Sequence, residues 1–188
     1  PAHAEIIVEA VVDLTSQTDV GVGVSPSMYY LPKTATLPDM HIQAITMRKD
    51  RPIYRNHLTT PDTDHQTLPR LCHEAVLYNR LTEIGVKIHD IQFPTWGAAL
   101  SCVIQLEAPR EGFINDALMQ AMGAPWLNTK MVVAVSPDTD ISNAQEVYHA
   151  IATRCDPSRD MIIVDNTRGS PFDPSGEPID AFWRTGGK

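Results

Sequence analysis

The chain is short of several things that would each point to a class of function. Cysteine is scarce: Cys72, Cys102 and Cys155 stand far apart among 188 residues, and no C-x-x-C pair occurs. An odd, scattered set argues against a disulfide framework and for buried thiols in a reduced, cytoplasmic setting. Basic residues are outnumbered, 15 Lys and Arg against 23 Asp and Glu, for a net charge of −8. The densest basic stretch, RKDR at 48–51, is broken by Asp50, so a surface that tracks nucleic-acid phosphates is not expected. Long apolar runs are missing too. IIVEAVVDL at 6–14 is interrupted by carboxylates, and no segment reads as a membrane span. The amino end, PAHAE, lacks the charged-then-apolar layout of a secretion signal. Read as a natural start after loss of Met, it implies a short stand-alone product.

What is present suits an ordinary packed core, with 43% apolar residues. Residues 4–14 alternate: Ile6, Val8, Ala10, Val12 and Leu14 share one face, and Glu5, Glu9 and Asp13 the other, as in a half-buried strand. HIQAITMR at 41–48 reads as a second strand, followed by a turn at KDRP. Two strands and a long loop are marginal alone, so this piece must pack on something. From about residue 60 the pattern changes. TTPDTDHQ is a polar linker, and Thr67 is placed to cap a helix with Pro69 in its first turn. Leu71, Ala75 and Tyr78 would line its inner face, with Gly85 at its end.

Two further strands, VKIHDIQF and SCVIQLE, precede a short helix at 113–122 that closes at Gly123 and Pro125. MVVAV at 131–135 reads as a strand buried on both faces. Ser142 and Gln145 have capping-box spacing for a helix with Ala144, Val147, Ile151 and Cys155 inward. DPSRD would turn the chain into a second buried strand, MIIV at 161–164, giving a parallel strand–helix–strand crossover. The Gly- and Pro-rich tail from Thr167 is expected to drape over the surface.

Residues suited to chemistry are few. Asp138 and Asp140 lie after the MVVAV strand, where α/β proteins often bind ligands, although acids there also serve helix starts and turns. His65 and His73 are eight apart, with His65 ahead of the helix, and no H-E-x-x-H zinc motif exists. Cys72 beside His73 is a poor nucleophile pair, because adjacent helix positions face apart. The G-V-G at 21–23 falls short of a dinucleotide fingerprint, and neither a P-loop nor a G-x-S-x-G elbow is present. The residues alone describe an α/β (α+β) protein without a recognisable catalytic centre.

Several longer segments nevertheless form a familiar series. PAHAEIIVEA looks like P-A-x-A-E-[IF]-V-[IL]-E-G, and AITMRKDRPIYRN looks like I-T-x-R-x-x-x-I-Y. The stretch from Val135 to Pro171 resembles an acidic turn, a W-A-[IF]-x-T-R helix and a D-P-x-R-D strand. In this order they resemble the carboxyl-terminal part of UbiD-like decarboxylases, which use prenylated flavin mononucleotide to remove or add carboxyl groups on aromatic and unsaturated acids. The resemblance implies partial split β-barrel strands over 1–60 and a mixed-sheet α/β domain over 61–188. It implies that the flavin's main cradle, its metal ligands and the catalytic arginine belong to a part absent from this sequence.

By the same resemblance, TDVGVGVSPSMYYLP at 18–32 corresponds to P-E-G-P-[FY]-G-[DE]-x-x-G-Y-Y, with Gly21, Tyr29 and Tyr30 on matching positions. The two proton-handling carboxylates of the family fall on Val20 and Ser25, which cannot act as acids. Asp19, one residue away, would point to the other side of an extended chain; it is a weak candidate acid, which a shifted register would bring into place. Ser25, Tyr29, Ser170 and Phe172 would face substrate. These expectations describe a small subunit that binds neither flavin nor metal alone and docks on a chain bearing prenylated FMN, closing its barrel. The rival is a catalytically inactive homo-oligomer with a binding or structural role.

Overall fold

The computed structural model describes residues 3–20, 35–53, 64–98, 100–110, 112–124 and 129–169, together with 173, 175, 177–178 and 184–186. The amino-terminal portion is a long antiparallel ribbon of β1 (Ile6–Val20) and β2 (Ala35–Met47). Both strands extend beyond the stretches that alternate in sequence. Hydroxyl–carboxylate bridges replace apolar pairing there. Ser16 and Thr18 donate to Asp39, and Thr36 Oγ1 donates to Asp19 Oδ1 over 2.6 Å. A register shift lies between Glu9 and Ala10, and another between Asp13 and Gln17. Glu5 ties off the other end, where its carboxylate accepts from Arg48 Nη1 at 2.8 Å and from the Ile53 amide at 3.2 Å.

The second portion is layered around a mixed sheet of β3 (Lys87–Gln92), β4 (Ser101–Glu107) and β5 (Met131–Val135), in the order β3-β4-β5. β3 and β4 run antiparallel, while β4 and β5 run parallel, joined through α2 (Phe113–Met122). β4 is the centre, and its alternation builds two cores. Cys102, Ile104 and Leu106 face Leu77 and Leu81 of α1 (Asp64–Thr82) and Ala117 and Ala121 of α2. Val103 faces the other way and packs with Val135, Ile141, Val147 and Ala150 under α3 (Ala144–Arg154). Gly85, at φ 81°, turns the chain from α1 into β3, a backbone conformation that a Cβ would strain.

Several sequence expectations are corrected. α1 begins at Asp64, three residues before Thr67, so Pro69 lies inside the helix. Its core face carries Leu77 and Leu81, while Leu71, Ala75 and Tyr78 are exposed. Both rows satisfy a helical period, and periodicity cannot rank them. The cap of α3 is Asn143, whose side chain accepts from the Gln145 amide; Ser142 instead donates to Asp140. Val147 and Ala150 are its buried residues, and Ala144 and Ile151 are exposed.

MVVAV does form a strand, but at the edge of the described sheet, with Met131 exposed and Val135 alone buried. MIIV forms no strand, and Met161, Ile162 and Ile163 are exposed, so the expected crossover is absent among the described residues. A continuous apolar run carries no information about which neighbour it pairs with, and the parallel pair here is β4–β5. DPSRD is one helical turn, α4 (Pro157–Asp160), capped by Asp156. The tail does more than drape: β6 (Thr167–Gly169), β7 (Glu177–Pro178) and β8 (Arg184–Gly186) form a small sheet ordered β6-β8-β7, and Gly169 and Asp173 are buried.

Candidate functional site

The expectation of a half-buried first strand fails in an informative way, because the apolar face of the ribbon is exposed. The register pairs Ile6 with Met47, Val8 with Ile45, Ala10 with Ile42 and Val12 with Met40. These four pairs stack on one face. Exposure there runs from 36% at Ile6 to 60% at Met47. The opposite face is mixed, pairing Ile7 with Thr46, Glu9 with Ala44, Val11 with His41 and Asp13 with Asp39. Burying each large apolar side chain of the ladder would be worth about 1.5–3 kcal/mol. A contiguous face of this kind marks an interaction surface.

Asp19 lies at the far end of this same face. It pairs with Thr36, and Thr36, Pro38 and Met40 alternate onto one side of β2. Val20 pairs with Ala35 and so projects to the other side. Like Asp19, which accepts from the Thr36 hydroxyl, the neighbouring carboxylates are held by hydroxyls. The Ser16 and Thr18 hydroxyls hold the Asp39 carboxyl below its usual range. The hydroxyl and amide of Thr15 do the same for Asp13.

The other sequence candidates are not brought to this face. Ser25, Tyr29, Ser170 and Phe172 lie outside the described residues. Asp138 forms a two-pronged pair with Arg154, with both contacts at 2.8 Å, and the Arg154 hydrogen bond lowers its pKa. Asp140 accepts from the Ser142 hydroxyl and amide, which likewise hold it low. Asp140 thus braces the start of α3, and Asp138 ties the loop before it to Arg154 in the last turn. Residue 65 lies within α1 rather than ahead of it, and its side chain is outside the described residues. His73 packs edge-on against Phe93 with ring centroids 5.6 Å apart, and burial lowers its pKa. Cys72 is exposed, Cys102 is fully buried with its thiol pushed well above the usual range, and Cys155 is intermediate. The expectation of buried thiols therefore holds for Cys102 alone.

A second polar cluster escaped the sequence reading. Lys130 Nζ reaches Asp173 at 3.2 and 3.1 Å, and it also donates to Ser175 Oγ. The partners are 43 positions apart with no periodic signal between them. Among the described residues, no group of three or more His, Cys, Asp or Glu side chains could hold a metal ion. Asp13, Asp19 and Asp39 of the ribbon all have hydroxyl partners, and with no such cluster among the described residues these side chains do not fit the metal-held phosphate of a flavin. No described helix is long and apolar enough to cross a membrane.

Comparison with known proteins agrees with this architecture. Residues 66–188 match the 3-octaprenyl-4-hydroxybenzoate carboxy-lyase C-terminal domain. The anhydromevalonate phosphate decarboxylase of Methanosarcina mazei is 32% identical over 175 residues, covering 93% of this chain and 40% of that protein. The enzyme of the same name from Archaeoglobus fulgidus is 32% identical over 126 residues, 67% of this chain and 29% of that one. Among solved structures, the UbiD-class enzyme HmfF from Pelotomaculum thermopropionicum in complex with FMN superimposes with a TM-score of 0.77 at 27% identity. That match covers 99% of this chain and 40% of HmfF. The open form of vanillic acid decarboxylase from Sedimentibacter hydroxybenzoicus gives a TM-score of 0.71 at 25% identity, covering 99% and 39%. The chain spans 40% or less of the length of each of these proteins. With the profile covering most of its length and the mixed α/β fold in register with UbiD-class structures, the chain belongs to the UbiD decarboxylase family, matching its carboxyl-terminal part.

Proposed function

We propose that this chain is the small subunit of a split UbiD-like, prenylated-FMN-dependent (de)carboxylase acting on an aromatic or unsaturated acid. Residues 1–60 would supply the missing strands of a barrel on a partner chain that cradles the flavin and its metal. Residues 61–188 would form the carboxyl-terminal α/β domain that shapes the pocket, with Ser25, Tyr29, Ser170 and Phe172 toward substrate. The observation that carries this reading is the exposed apolar ladder of the ribbon, a sheet face left uncovered among the described residues. The relatives support the chemistry: they are named as decarboxylases, and HmfF structures are described with FMN and with prFMN. The vanillic acid enzyme motivates the aromatic class of substrate.

Asp19 is the carboxylate proposed to handle protons in the assembled site. It shares the ladder face, so the partner that covers the ladder would enclose it. Val20, on the opposite side, plays no such part. The chain alone would neither hold flavin nor decarboxylate, and it would work in the cytoplasm without nucleic acid or membrane. Mixing it with a flavin-bearing UbiD-like chain from the same organism tests the proposal: the pair should turn over and neither part alone should. Stoichiometric flavin in the isolated chain would overturn it. The ladder could equally be covered by a second copy, in a catalytically inactive homo-oligomer with a binding or structural role. A stable symmetric oligomer that excludes the flavin chain would favour that reading.

A further inference from the structure

Opposite its core face of Leu77 and Leu81, α1 carries a second apolar face that is exposed among the described residues. A surface helix ordinarily turns its charges to water and its apolar stripe to the core. Between Leu68 and Thr82, however, the charged side chains and His73 are all half-buried. Arg70 and Glu74 pair at 3.3 Å, and Glu74 also accepts from the Phe93 amide at 3.3 Å. His73 lies edge-on to Phe93, and Arg80 donates to Gln120 of α2 at 2.9 Å. The outer face between those two positions is therefore free of charge. At 100° per residue, Leu68, Cys72, Ala75 and Asn79 run down its middle. Leu71 and Tyr78 flank them on one side and Val76 on the other. Exposure of the large apolar side chains here runs from 47% at Tyr78 to 59% at Leu68. Charge and symmetry constrain what can cover this face. The chain carries a net charge of −8, so two copies repel each other except where a face brings no charge to the contact. The stripe also matches itself when reversed. A two-fold axis midway between Cys72 and Ala75 sets Cys72 against Ala75, Leu71 against Val76 and Leu68 against Asn79 of the other copy. The two small residues then fall at the crossing, where they let the helices approach closely, and larger side chains fill both ends. An antiparallel pair also opposes the two helix dipoles.

We propose that the outer face of α1 is a dimer interface, on which a second copy of this chain docks its own α1 antiparallel. The interface uses neither strand of the ribbon, so it does not rest on what covers the ladder. Combined with the function proposed above, it makes the assembly two small chains joined through α1, each with its own flavin-bearing chain.

Sedimentation velocity of the full chain, alone and across a concentration series, tests the proposal. Wild type should reach twice the monomer mass. Leu71→Glu and Ala75→Glu, which set like charges across the crossing, should each stay monomeric and keep the denaturant midpoint of the wild-type monomer. Val8→Asp, on the ribbon, should still dimerise. Cross-linking in a Cys72→Ser background reads the orientation. Chains with Leu68→Cys and chains with Asn79→Cys should join to each other under mild oxidation, and neither to itself. A monomer at every concentration overturns the proposal, as does a dimer that survives both glutamates or is lost in Val8→Asp. Linkage of Leu68→Cys to itself, the mark of parallel helices, overturns it too. Loss of binding to a flavin-bearing chain in Ala75→Glu gives the face to that partner and likewise overturns it. Failure to find any flavin-bearing chain defeats the split-enzyme reading but not the dimer, which sedimentation and cross-linking decide alone.

Discussion

At single residues, role and stability turn on which side of a strand or helix a group occupies. Asp19 and Val20 are neighbours in sequence, yet Asp19 shares the ladder face and Val20 does not. In the assembled enzyme, Asp19→Asn should lower kcat by about 10²–10⁴-fold, the range for losing a general acid, while Val20→Ala should leave it near wild type. A steady-state comparison of the two checks the assignment. His73 is half-buried against Phe93, and burial lowers its pKa below the ordinary 6.5. The folded state therefore disfavours its proton. Its contribution to stability is fully present above pH 6.5 and falls as pH drops from there toward the depressed folded value. Denaturant midpoints at pH 7.5 and 5.5 should show this loss in wild type and a smaller one in His73→Phe. Gly97 is a third such case. A Cβ there would lie 1.7 Å from Ser101 Oγ and 3.0 Å from Ser101 Cβ, and Ser101 is buried at the head of β4. Gly97→Ala should cost about 1–3 kcal/mol in equilibrium unfolding.

At the level of elements, what could be read in the sequence depended on whether a pattern had one solution. SCVIQLE and MVVAV, short apolar runs between turn residues, became β4 and β5 with the boundaries expected. α1 had two apolar rows, and tertiary packing chose Leu77 and Leu81. Leu81→Ala should therefore destabilise by about 2–5 kcal/mol, with Leu71→Ala well below that, by the same unfolding measurement. The hydroxyl-rich ends of β1 and β2 were not legible, because their pairing rests on side-chain bridges to Asp39 and Asp19 that leave no apolar alternation. Lys130 and Asp173 were illegible for the reason that separates most ion pairs from sequence: nothing local records a partner 43 positions away. The alternation of Ile6, Val8, Ala10 and Val12 was plain, but alternation shows that a face wants cover without showing whose. Because Val8 and Ile45 are exposed, Val8→Asp and Ile45→Asp should each change the stability of the isolated chain by no more than about 0.5 kcal/mol. The same changes should abolish binding to the flavin-bearing chain, as read by size-exclusion chromatography.

For the whole molecule, a well-packed three-layer α/β portion is joined to a ribbon whose apolar face is exposed among the described residues. The carboxyl-terminal portion has a core on each side of β4 and accounts for the match to the UbiD carboxyl-terminal domain. The ribbon instead leaves its apolar ladder exposed among the described residues. Relatives in which this region accounts for 40% or less of the protein place the rest of the enzyme outside the segment they share with this chain. The most direct test is native mass spectrometry of the tagged chain purified from the organism that encodes it. The account predicts a complex with a larger UbiD-like chain that carries the mass of prenylated FMN, and that complex should be lost in Val8→Asp. A symmetric homo-oligomer without flavin, or the isolated chain holding stoichiometric flavin, would contradict it.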